Sequence, residues 1–128
     1  MLQITGITAD PIQQLTVSMP DGTKLIMNLQ FWDQNYGWYF NPQAAGDFGL
    51  NWNNGVFAEN GRRIVSHPNM LRNYRNQINF GLACFTTGNR EPTQIQDFAS
   101  GASSLYILTP AEVAEVETFL QGQKVVQI

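Results

Sequence analysis

The sequence predicts a mainly β domain, a small antiparallel β-sandwich or barrel with one C-terminal α-helix, and three observations predict it. Leu15, Val17 and Met19 alternate with polar residues, and after the turn Pro20-Asp21-Gly22 the alternation resumes at Leu25, Met27, Leu29 and Phe31. Turn signals recur at short intervals, at 33–37, at Asn53-Asn54-Gly55 and at Asn60-Gly61. Only one stretch, opened by Thr109-Pro110-Ala111-Glu112, carries a helical period.

The alternating stretch reads as a β-hairpin, and Trp38, Tyr39 and Phe40 beyond the 33–37 turn extend it to a three-stranded meander. Two short strands are predicted at 48–52 and 56–57, split by the Asn-Gly step at 54–55. Ile64-Val65 reads as another short strand, and 68–74 as a helical turn with Met70, Leu71 and Tyr74 facing inward. Strand character returns over 79–85. The polar, glycine-bearing stretch 86–104, interrupted by Pro92, reads as a long loop and a contact element that orders on a partner. A strand follows at 105–108. In the helix, Thr109 is the N-cap, Pro110 takes the first helical position and Glu112 closes the capping box. Val113, Val116, Phe119 and Leu120 fall on one face that packs on the sheet, and Gly122 ends the helix. The apolar tail 124–128 reads as an edge strand, for this domain or a neighbour.

At 128 residues the chain is a single domain, and a hydrophobic fraction of 43% excludes a disordered tail. Charged residues make up only 13%, against roughly 25% in ordinary domains, while 12 Asn and 12 Gln take their place on the surface. Amides desolvate more cheaply than charges, so this composition suits a surface that partners cover. A net charge of -3 offers no attraction to nucleic acid or to an anionic membrane. Arg62, Arg63, Arg72, Arg75 and Arg90 are five of the seven basic residues, and no acid lies between Glu59 and Glu91. This predicts a cationic arc of guanidiniums lacking local partners, opposed by a patch of Glu112, Glu115 and Glu117. The lone Cys84 excludes an internal disulfide and a multi-cysteine zinc site, and its apolar neighbours predict a buried, inert thiol. Residues 1–10 lack a signal-peptide pattern and no run approaches a membrane span, which places the chain in solution in a cytoplasm.

No constellation for catalysis stands out. His67, the single histidine, precedes Pro68 in a turn with no nucleophile motif beside it. Ser100, Ser103 and Ser104 lack the Gly-x-Ser-x-Gly setting, the acids fall in turns or on the helix, and no glycine-rich phosphate cradle is present. The reading is a protein without enzymatic activity, cofactor or metal. Two groups remain as candidate partner-binding residues. Around the 33–37 turn stand Trp32, Tyr36, Trp38 and Tyr39; alternation turns Trp38 toward the core, whereas Tyr36 sits in the turn itself. The second group is Arg62, Arg63, Arg72 and Arg75, since Arg is enriched at interfaces.

The order of these features, with Tyr36-Gly37-Trp38-Tyr39, Gly61-Arg62-Arg63-Ile64-Val65, Asn69-Met70-Leu71, Tyr74-Arg75, Phe80-Gly81-Leu82, Asp97-Phe98 and Leu105-Tyr106-Ile107-Leu108, resembles the phage baseplate plug family of contractile-tailed phages over residues 15–110. The resemblance implies a structural protein of the inner baseplate of a myovirus-like virion, assembled in the host cytoplasm. It would dock among hub, tube and wedge proteins in several symmetric copies. On this view Arg62, Arg63, Arg72 and Arg75 pair with neighbours' carboxylates and the 86–104 loop orders against them. The competing readings are a carbohydrate-binding module that stacks sugars on Trp32, Tyr36 and Trp38, and a tail-assembly factor.

Overall fold

The computed structural model describes residues 1–19, 21–42, 44–52, 58–88 and 90–122. In chain order the elements are β1 (Leu2–Ile4), β2 (Ile12–Ser18), β3 (Lys24–Trp32), β4 (Gly37–Phe40), β5 (Leu50–Trp52), β6 (Ala58–Glu59), β7 (Arg62–Arg63), β8 (Gly81–Thr86), α1 (Asp97–Ser100), β9 (Ser103–Leu108) and α2 (Pro110–Gly122). They form two antiparallel sheets with α2 at the C-terminal end; of the sandwich and the barrel, the closed barrel is excluded.

The larger sheet is built on β3. Its nine residues pair with β2 along one edge and with β4 and β5 in tandem along the other, β4 opposite 29–32 and β5 opposite 25–27. The alternation read from the sequence sets this register: Leu25, Met27 and Leu29 are fully buried on one face, where Leu15 and Val17 of β2 join them. Asn28 marks the junction where β3 changes partner. Its N–H donates to Gly49 O at 2.8 Å and its carbonyl accepts from Asn41 N at 2.9 Å. Gly49 lies against the Phe40 carbonyl there, so closely that a Cβ would collide with backbone.

The smaller sheet runs β1-β9-β8. Ile4, Leu82, Cys84, Leu105 and Ile107 enter the same core as Trp38, Phe40, Leu50 and Trp52 of the larger sheet. Aromatic edges tie the parts together: Trp52 meets Phe80 at 5.3 Å and Trp38 meets Phe98 of α1 at 5.8 Å.

Several boundaries depart from the sequence reading. β1 carries no alternation long enough to be read, and its three residues are a strand because β9 offers a free edge. The strand expected at Ile64-Val65 is displaced to Arg62–Arg63, because Tyr39 and Phe40 register there, and Ile64 turns wholly into the core. The predicted 86–104 loop is shortened at both ends by β8 and β9 and contains α1. Its order comes from within the molecule: Phe98 is buried, Trp38 Nε1 donates to Gln94 O at 3.2 Å, and Ser66 Oγ donates to Arg90 O at 2.7 Å. The helix forms with its predicted capping box, Thr109 N donating to Glu112 Oε1 at 2.9 Å and Glu112 N to Thr109 Oγ1 at 3.3 Å. Its apolar face is only partly used: Val113, Val116 and Leu120 are half-buried, but Phe119 is 61% exposed. The strand expected at 56–57, the Asn-Gly turn at 54–55 and the tail 124–128 lie outside the described residues.

Candidate functional site

The 33–37 turn is a 3₁₀ turn over Asp33–Asn35, ended by Tyr36 in the left-handed conformation at φ 48°. A tyrosine there is strained by about 1–2 kcal/mol, and Arg63 offsets the strain from below. Its Nη1 donates to Asn35 O at 3.1 Å and to Tyr39 Oη at 3.2 Å, and its Nη2 donates to Tyr36 O at 2.9 Å. The guanidinium lies over Gly37, where a Cβ would stand 2.8 Å from Cζ. Trp32 stacks on Tyr39 at 4.3 Å, and the Arg63 guanidinium sits 5.7 Å from the centre of the same ring. This stack props Tyr36, 70% exposed, at the tip of the hairpin.

The same stack is one end of the outer face of the larger sheet. Lys24, Ile26, Asn28, Gln30 and Trp32 occupy the β3 positions between its core residues, with Ile12, Gln14 and Thr16 beside them on β2 and Tyr39 and Asn51 on the other side. Amides join across the strands. Gln14 Nε2 donates to Asn28 Oδ1 at 2.9 Å, Asn28 Nδ2 to Phe48 O at 2.7 Å, and Asn41 Nδ2 to Gln30 Oε1 at 2.8 Å. Lys24 and Arg63 stand at opposite ends and none of these paired positions carries a carboxylate. Covering such a face desolvates few charges, and its amides keep their bonds when water leaves.

The remaining candidates stand differently from the sequence reading. Trp38 is fully buried between Phe31 and Phe98 and has no surface to offer a partner. The arginines have partners within the chain, for Arg72 and Arg75 an acid more than 40 residues away and for Arg62 and Arg90 acids three and seven residues away. Arg72 holds Glu117 with two bonds of 2.8 and 2.9 Å, Arg75 reaches the same carboxylate at 3.5 Å, and Arg62 lies 3.7 Å from Glu59. Arg90 grips the buried Asp97 at 2.7 and 2.9 Å. The hydrogen bonds from Arg72 hold the Glu117 carboxyl down at about 2, and those from Arg90 lower Asp97. The predicted opposition of a cationic arc and an acidic patch is thus cancelled at Glu117, whose charge is spent on the arc itself.

Ser66, His67, Cys84 and Glu91 line one shallow pocket of about 250 Å³. Burial pushes the Cys84 thiol up to about 12, so it stays protonated and inert as the sequence predicted. His67 Nδ1 accepts from Asn69 N at 2.9 Å, and the Ser66 hydroxyl is bonded to Arg90 O. These groups organise the chain along β8. Among the described residues no three metal-ligating side chains converge.

What the sequence reading missed is the amide face. Its signal is the period-two placement of Gln14, Asn28 and Gln30 opposite the apolar set. Compared with protein-family models and with curated proteins, the chain matches none.

Proposed function

We propose that the chain is a structural subunit of the inner baseplate of a contractile phage tail, docking among hub, tube and wedge proteins through the outer face of the larger sheet and the Tyr36 tip. The observation that carries this reading is the pre-bonded, acid-free amide face ending in a rigid aromatic prop. Such a surface is cheap to cover and presents one aromatic anchor, as protein interfaces do. The ordered resemblance of residues 15–110 to the baseplate plug family supplies the assembly. Docking falls to this face rather than to Arg72 and Arg75, whose charges Glu117 engages.

Quantitative mass spectrometry of tail particles purified from the source lysate tests the reading. A fixed small copy number per particle is expected, together with loss of incorporation for Tyr36→Ala, a change at a side chain exposed at the hairpin tip. Absence from finished particles would overturn it. Glycan-array binding that Tyr36→Ala abolishes would put a carbohydrate-binding module in its place.

A further inference from the structure

We propose that the open edge of β2 pairs antiparallel with β2 of a second copy of this chain, joining two of the larger sheets about a two-fold axis at Leu15. Among the described residues β2 is bonded along one side only, to β3. At its ends Pro11 O accepts from Phe31 N and Met19 N donates to Thr23 O, both at 2.8 Å. The alternation of an antiparallel ladder then turns the backbone groups of Gln13, Leu15 and Val17 toward β3 and those of Ile12, Gln14, Thr16 and Ser18 outward, the Ile12 N–H donating to Asp10 Oδ1 at 3.2 Å. No described residue bonds to the outward groups of Gln14, Thr16 and Ser18.

The other edges are short or covered. β6 and β7 are two residues long and β1 three. The open side of β8 is capped where His67 and Cys84 exchange backbone bonds of 3.0 Å and Met70 N donates to Leu82 O at 2.7 Å. β2 has seven residues and none of the charges, prolines or bulges that normally protect an edge.

The strand is complementary to itself, which selects a second copy as occupant. With the axis at Leu15, Ile12 faces Ser18, Gln13 faces Val17, Gln14 faces Thr16 and Leu15 faces its own equivalent, so every residue has a counterpart and only the Ile12 N–H, held by Asp10, adds nothing to the ladder. The half-exposed Leu15 and Val17 continue the apolar inner face across the seam, and no like charges meet because the strand carries none. The pairing consumes the long open edge of each copy, so assembly closes at two.

Sedimentation equilibrium of the full chain from micromolar to millimolar concentration reads the result directly. A monomer–dimer equilibrium is expected. Thr16→Pro removes an outward N–H that β3 does not use, and the double change Gln14→Lys, Thr16→Lys sets ammonium groups opposite each other. Each should raise the dimer dissociation constant about tenfold or more while near-ultraviolet circular dichroism stays native. Should the proline variant fail to fold, the double lysine variant, whose two side chains are exposed and give up within the chain only the Gln14–Asn28 bond, carries the test. A wild-type chain that stays monomeric at millimolar concentration, or a dimer indifferent to the lysines, overturns the proposal.

Discussion

Gly49 and Arg63 illustrate how single side chains, or their absence, set this molecule's geometry. Gly49 permits β5 to follow β4 along one edge of β3, because only a residue without Cβ fits against the Phe40 carbonyl. Gly49→Ala is therefore expected to destabilise by at least about 2 kcal/mol, measured by urea denaturation; a change under half of that would show that the junction yields freely. Arg63 acts on the Tyr36 tip instead. Removing its three hydrogen bonds in Arg63→Ala should cost about 1–2 kcal/mol and release the left-handed turn. The Trp32 and Tyr39 ring-current shifts in the proton spectrum would collapse with it, and their persistence would remove Arg63 from this role. Neither residue's part was legible in the sequence, since both act on segments some 10 to 30 positions away, Gly49 on Phe40 and Arg63 on Asn35 and Tyr36.

At the scale of elements, α2 is the least anchored. Its N-terminus is fixed by the capping box, but beyond it the helix rests on half-buried Val113, Val116 and Leu120 and on the Arg72–Glu117 clasp. Glu117 titrates at about 2 against an ordinary 4.5, so the clasp contributes fully above pH 4.5 and is lost as the pH falls through about 2. Methyl resonances of Val116 and Leu120 should move toward random-coil positions across this window. In Glu117→Gln they should start displaced and stay flat over the same range; a wild-type-like titration in that variant would exclude the clasp. The helix itself was readable because capping is local. Its partner Arg72 was not, since an ion pair 45 residues apart in sequence has no local signal.

Considered whole, the two sheets share one core, so their unfolding should coincide. Cys84 lies in the smaller sheet and Trp38 and Trp52 in the larger, and all three are buried. Thiol modification of Cys84 and the tryptophan fluorescence transition should therefore share one denaturant midpoint. Cys84 reacting well before the fluorescence changes would mean that the smaller sheet opens alone. The surface also reads at this scale: the amide-rich composition was visible from the first count, but its concentration on one sheet face depends on how β2, β3, β4 and β5 are placed side by side.

The sequence by itself determined the β class, the central hairpin and its register, the C-terminal helix with its cap, and the buried state of Cys84. Each follows from local periodicity or local backbone chemistry, which needs no knowledge of distant residues. Only the tertiary structure decided that Arg72 and Arg75 meet Glu117, that the 86–104 segment orders on Trp38 and Ser66, and that among the described residues β2 keeps an open edge. These outcomes depend on which residues far apart in the chain become neighbours, and a pattern of period two or 3.6 specifies which face is buried but not what is buried against it.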